Sequence, residues 1–183
     1  MSRLENVLAA IDAYNKQDPH GQELPYSEKL TSWVVQLDPQ PSEALRIAAR
    51  GQHIGRWKSP RQSYPMDRGG YLRWREDLKR YHAKTIGELM ATEGYSESEI
   101  EEVNQVVLKK NFQSNPDAQT IEDALCLVFL ENQFEELRRK TPDPKMIDII
   151  QKTWRKMSEK GKQAVLSMKL PEAHQQLIRQ PLQ

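Results

Sequence analysis

The chain has 183 residues, of which 37% are hydrophobic and 29% charged, with a net charge of +1 and a single cysteine, Cys126. That length suits one domain with its own core, and a lone cysteine excludes an internal disulfide framework. No apolar stretch approaches the ~20 residues that cross a bilayer, and Met1-Ser2-Arg3-Leu4-Glu5-Asn6 lacks the apolar centre of a signal peptide, so the chain reads as cytoplasmic, with no membrane partner.

Helical periodicity dominates from the start. Leu4, Val7, Leu8, Ile11 and Tyr14 line one face of a first helix, which Asp18-Pro19-His20-Gly21 stops. A second helix is expected from near Tyr26-Ser27, burying Leu30, Trp33, Val34 and Leu37. Pro39 and Pro41 break the chain, and Ser42 caps a third helix running towards Ile54. Residues 58–70 hold two prolines and a Gly-Gly pair, which reads as a loop long enough to carry function. A fourth helix follows from about Tyr71 to Thr92, and Ser96 starts a fifth with Ile100, Val103, Val106 and Val107 as its stripe. Asn115-Pro116 interrupts, Ile121–Leu137 forms a sixth, and Thr141-Pro142-Asp143-Pro144 breaks the chain again. Two short helices, 146–159 and 162–168, make a C-terminal extension from about residue 145. No stretch alternates like a strand. The expectation is one all-α domain over residues 1–183, with about seven helices.

Charge is uneven along this chain. Residues 46–84 carry 11 Lys/Arg against three acidic residues, a local charge of +8, and the remainder is correspondingly acidic. A basic middle points to a small anionic or phosphorylated ligand, or else to a helix face paired with acidic neighbours. Near-zero net charge argues against nucleic acid.

Several residues in this middle could carry chemistry. His53 follows Leu45, Ala48 and Ala49 and should point inward or sit at a pocket edge. Tyr71, Arg75, Leu78 and His82 share one helix face. The run Ala124-Leu125-Cys126-Leu127-Val128-Phe129-Leu130 marks a buried helix, with Glu122 and Asp123 just before it. Asp123 either meets a cation, a metal or several donors, or lies in a first turn and favours the helix dipole. Neutral imidazoles with a carboxylate suit a divalent transition metal. Arg56, Arg61, Arg68 and Arg75 suit bidentate binding of phosphate. Lys109 and Lys110 either add positive charge or complement a helix C-terminus. Trp57, Tyr64, Tyr71 and Trp74 flank the arginines, as core or as a stacking surface.

His53-Ile54-Gly55 and Lys156-Met157-Ser158 resemble the two nucleotide-binding signatures of class I aminoacyl-tRNA synthetases. In that family the first signature follows a strand of a parallel sheet. Here it ends a helix with no βαβ unit around it, so the match is taken as chance.

A closer resemblance spans nearly the whole chain. Arg50-Gly51-Gln52-His53-Ile54-Gly55-Arg56-Trp57, Gly70-Tyr71-Leu72-Arg73-Trp74-Arg75, His82-Ala83, Glu122-Asp123-Ala124-Leu125-Cys126 and Lys152-Thr153-Trp154-Arg155 carry it. They are similar to an uncharacterised bacterial and fungal family, a domain of unknown function, some fungal members of which are labelled glutamyl-tRNA synthetase. Residues Ile47–Arg56 also resemble, more loosely, the His-Asp helix of the HD superfamily of metal-dependent phosphohydrolases, with Gln52 at the histidine and His53 at the aspartate. In that resemblance His82 matches the next histidine, Lys110 falls near the following one, Asp123 matches the final aspartate, and Glu28 stands nearest the first histidine. Several ligands of the usual two-metal site are therefore replaced.

The resemblance implies an HD-domain-like fold and a hydrolase acting on a small phosphorylated or nucleotide substrate. His53, His82 and Asp123 would hold one divalent metal ion. Glu122 or Glu28 would position a water, and Arg56, Arg61, Arg75 and Lys110 would bind the substrate. The alternatives are a non-catalytic nucleotide- or anion-binding module, or an interaction module docking an acidic partner. The metal reading requires the two imidazoles and the Asp123 carboxylate to meet at one point.

Overall fold

A computed structural model describes residues 2–112 and 114–179, and among these every regular element is helical. Ten α-helices follow one another: α1 (Arg3–Asn15), α2 (Glu23–Leu37), α3 (Glu43–Gly51), α4 (Arg68–Thr92), α5 (Glu97–Val107), α6 (Pro116–Val128), α7 (Phe134–Arg139), α8 (Asp143–Lys156), α9 (Glu159–Ser167) and α10 (Glu172–Arg179). The all-α expectation holds, but the helices outnumber the seven or so expected. The chain divides into two compact units, Met1–Ile121 and Glu122–Gln183, where one domain was expected; the boundary falls inside α6.

In the first unit α3 is the central element, packed against α1, α2, α4 and α5. Its Leu45, Ile47, Ala48 and Ala49 are all fully buried, and its small residues let neighbours approach closely. A Cβ on Gly51 would stand 2.5 Å from Ile86 Cδ1 of α4. Each fully buried Leu or Ile here contributes about 2 kcal/mol through removal of apolar surface from water. The caps are made as local chemistry dictates: Ser42 Oγ accepts from Leu45 N–H, and Ser2 and Ser96 head full capping boxes on α1 and α5.

Three boundaries differ from the sequence reading, each for a local reason. Helix α2 starts at Glu23 rather than near Tyr26, because the Asp18 carboxylate accepts from the N–H groups of His20, Gln22 and Glu23. Pro25 then falls in the first turn, where no donor is needed. Helix α4 starts at Arg68 rather than Tyr71, since Asp67 Oδ1 accepts from Gly70 N–H. Gly70 has no room for a side chain there, as a Cβ would meet the Pro65 carbonyl oxygen at 2.1 Å. Helix α6 begins at Pro116, which the sequence reading placed in a break. Asn115 Oδ1 accepts from Asp117 and Ala118 N–H, and proline tolerates the first helical position.

The second unit runs from the end of α6 through a π-helical stretch, Phe129–Gln133, into α7 and then α8 to α10. The long sixth helix expected over Ile121–Leu137 is thus an α–π–α rod. The last helix, α10, lies beyond the two C-terminal helices read from sequence. Cys126 is a buried thiol on α6. Among the described residues no helix is long and apolar enough to cross a membrane.

Candidate functional site

The candidate site grows from the turn that follows α3. Ile54 N–H donates to Gly51 O, Arg56 N–H to His53 O and Lys58 N–H to Gly55 O, coiling residues 51–58 tightly. Gly55 sits at φ 68°, ψ 16°, the left-handed region. A Cβ there would also stand 2.7 Å from Tyr81 Cε1. Glycine is needed for both backbone and space. Beneath it, the Tyr14 and Tyr81 hydroxyls lie 2.6 Å apart, and Lys58 Nζ donates to Tyr14 at 2.8 Å.

The two histidines meet at this turn, with ring centroids 6.0 Å apart. His82 Nδ1 donates to the Ile54 carbonyl at 2.7 Å. A carbonyl only accepts, so the proton sits on Nδ1 and Nε2 keeps its lone pair. Burial holds the His82 pKa down to about 4, Arg56 adds to this, and the Ile54 bond opposes it. His53 is half-buried. Its ring stacks on Tyr26 at 4.3 Å and 11°, and its Nε2 lies 3.4 Å from Arg56 Nη1. A guanidinium only donates, so His53 Nε2 accepts and Nδ1 carries the proton. Burial, then Arg56, His82, Lys109 and Arg75, keep the His53 pKa well below its usual range. Both imidazoles are therefore neutral at physiological pH.

Three cations from three parts of the chain bear on one neutral ring. Arg56 is held over Trp74 at 4.9 Å, and Trp74 is fixed by its Nε1–H bond to Ser59 O at 2.8 Å. Arg75 flanks Tyr71 at 5.7 Å. Lys109, just past α5, has φ 53°; its N–H donates to Val106 O and the Lys110 N–H to Gln105 O, so it is the left-handed residue that caps the C-terminus of α5. Glu23 opens α2, one turn before Tyr26. Its carboxyl is raised to about 7, by burial first and by Asp18, while Arg56 pulls it down.

Among the residues singled out from sequence, the structure brings together His53, His82, Arg56 and Arg75. Arg61 lies at the edge of this group, 6.0 Å from the Trp74 ring. Its guanidinium donates to Tyr64 O and Asp67 O, which braces the 58–70 loop. Lys110 pairs instead with Glu101 at 3.4 Å. Glu28 is exposed and lies 3.6 Å from Arg50, whose guanidinium forks onto Asp12. Glu23 and the stacking of Tyr26 on His53 escaped the sequence reading, whereas Lys109 was read as adding positive charge or closing a helix, and it caps the C-terminus of α5. Only the Glu23–Tyr26 spacing, one helical turn, could have signalled the first two.

Glu122 and Asp123 belong to the second unit. They lie well inside α6, not at its start, so the helix-dipole account of Asp123 does not apply. Asp123 Oδ1 accepts from Ser158 N–H at 2.8 Å and Oδ2 from the Ser158 hydroxyl. Ser158 Oγ in turn accepts from Gly161 N–H and caps α9. A Cβ on Gly161 would press to 2.6 Å from Asp123 Cγ. Lys156 lies 3.6 Å from Glu122. Lys156-Met157-Ser158 is thus a helix end and a cap, which agrees with setting aside its synthetase-like match.

The fit to a divalent ion is poor. Three cations bear on His53, its Nε2 faces Arg56, and His82 directs Nδ1 at a backbone carbonyl. Among the described residues no group of three or more His, Cys, Asp or Glu could hold a metal ion.

No curated protein and no solved structure matches the chain. One family model does, over residues 5–178, a span that takes in every residue of the site. The chain belongs to the family described as domain of unknown function DUF4202.

Proposed function

We propose that the first unit binds a small anionic ligand through a phosphoryl group, in the cup formed by His53, Arg56, Arg75 and Lys109. The observation that carries this reading is the Arg56 guanidinium 3.4 Å from a half-buried, neutral imidazole, with the charges of Arg75 and Lys109 acting on the same ring. Carboxyl groups act electrostatically on both arginines, Glu23 on Arg56 and Glu76 on Arg75. Positive charge concentrated in a partly desolvated space is unfavourable without a counter-ion, and guanidinium forks match the oxygens of a phosphoryl group. The Nδ1–H of His53 supplies a neutral donor to the same group.

Titration with sulfate and inorganic phosphate, followed by tryptophan fluorescence, tests the reading, since Trp74 lies under Arg56. Saturable binding is expected, weakened about tenfold in Arg56→Ala and in Arg75→Ala, as for loss of one charge-assisted hydrogen bond of ~1.5 kcal/mol. Absence of saturation by either anion, with both variants indistinguishable from the parent, overturns it.

Metal-dependent hydrolysis of a phosphorylated substrate, on an HD-like scaffold, is the second reading. It rests on the two neutral imidazoles 6.0 Å apart, the donor type that transition metals take. Metal analysis of the purified protein separates the readings. Anion binding that persists unchanged under a chelator, in protein free of divalent metal, favours the binding module.

A further inference from the structure

A second polar feature of the first unit lies on residues that the cup does not use. The start of α1, the first turns of α3, the end of α4 and the middle of α5 border a cleft of about 100 Å³. Its floor is apolar: Ile47 of α3, Met90 of α4 and Val103 of α5 are each exposed by 1% or less. A space of that size has room for several waters or a short aliphatic chain.

The rim is charged and uneven. Among the described residues of the lining, Arg3 is the one cation, against the carboxylates of Glu43, Glu99 and Glu102. Arg3 shows what kind of group this wall takes. Its guanidinium lies 4.1 Å from the centroid of the Tyr95 ring, with Nη2 2.5 Å from Glu99 and Nε 3.5 Å from Glu43. A ring face flanked by carboxylates attracts a cation. The wall is also fixed in place: Tyr95 is buried and its hydroxyl donates to Glu43, while Glu99 closes the capping box of Ser96. One guanidinium thus serves two carboxylates. Glu102 enters no hydrogen bond or ion pair among the described residues.

We propose that this cleft is a second ligand site, and that it takes a small aliphatic cation, a primary ammonium on a chain of about four carbons. The chain covers Ile47, Met90 and Val103 and so removes apolar surface from water. The ammonium stays at the rim among the three carboxylates, where its charge is matched rather than buried alone. An alcohol of the same length gains only the floor. A carboxylate of the same length meets three charges of its own sign. No bond of the ligand changes.

The test uses the full chain and n-butylammonium, followed by NMR of the Ile47, Met90 and Val103 methyl groups. Saturable shifts at these methyls are expected, with n-butanol about tenfold weaker, as for loss of a charge-assisted contact, and n-butyrate without effect. Glu102→Gln, at an exposed position, should weaken n-butylammonium about threefold. Ala44→Leu, which fills the cleft from a half-buried position on α3, should abolish the shifts in protein that melts as the parent does. Binding of n-butanol as tight as that of n-butylammonium overturns the cation site. Absence of shifts at the three methyls, or shifts that survive in folded Ala44→Leu, sinks the cleft as a site. None of these residues belongs to the cup, so each outcome is separate from sulfate binding there.

Discussion

In the first unit, Arg56 lies against His53, the charges of Arg75 and Lys109 act on the same ring, and burial raises the Glu23 carboxyl to about 7. In the second, Asp123 is matched to the N–H and hydroxyl of Ser158, and Glu122 to Lys156. Both clusters are built on polar residues that drew attention in the sequence, and both close on a glycine that has no room for a Cβ. The difference lies in where the charge goes. Around Asp123 each charge meets a fixed donor, Lys156 at the end of α8 or Ser158 at the cap of α9, which ties α6 to both, the economy of a structural joint. Around His53 the arginines rest on aromatic rings, Arg56 on Trp74 and Arg75 beside Tyr71, with Glu23 acting on Arg56 and Glu76 on Arg75.

The comparison breaks most readily at the glycines. Gly55→Ala should cost about 3 kcal/mol, from left-handed backbone strain of ~1–2 kcal/mol plus the clash with Tyr81. Urea denaturation measures the loss, and a variant as stable as the parent would remove the close-packed turn on which the cup depends.

Acid should separate the neutral imidazoles from ordinary surface histidines. His82 has a folded pKa of about 4 against 6.5 for the free side chain. The unfolded chain therefore binds more protons between these values, so the His82 contribution is complete above 6.5 and is lost as pH falls through 4. The full loss approaches about 3 kcal/mol. Glu23, with its folded pKa raised from 4.5 to about 7, acts in the opposite sense, and its contribution is lost as pH rises across that interval. Stability measured by urea melts between about pH 4 and pH 7 should fall more steeply on acidification in Glu23→Gln than in the parent. An unchanged slope would show that Glu23 is solvated like a surface carboxylate.

Asp123→Ala strips the acceptor from Ser158 and should cost about 2 kcal/mol, as for loss of a cap with a charge-assisted bond. Asp123→Asn, which keeps one acceptor oxygen, should cost less. Thermal melts report both, and equal losses would argue that the negative charge itself is what the second unit requires. Smallest of all, Glu28→Ala should change stability by under about 0.5 kcal/mol, since its side chain is 56% exposed beside Arg50. It should leave sulfate binding as it was. A marked fall in binding would return Glu28 to the site.

Much of the fold was written locally. The 3.6-residue stripes of α1, α3 and α5, the cap at Ser42 and the helix start at Ser96 each follow from side chains within a turn or two of one another. So did the burial of α6, where Ala124, Leu127 and Val128 are fully enclosed. The basic character of residues 46–84 and the inward histidines were legible for the same reason: composition and helical spacing fix which face a side chain takes. What the sequence could not order was which faces meet. Tyr26 reaches His53 across 27 positions of chain, Lys109 acts on it from 56 positions away, and Ser158 finds Asp123 across 35. Those pairings depend on how α2, α3 and α5 pack and on where α9 begins, and packing is decided by shape and burial over the whole unit. Sequence alone thus determined an all-helical chain with a basic middle. Only the tertiary structure decided that this middle closes on a neutral histidine while Asp123 ties two helices together.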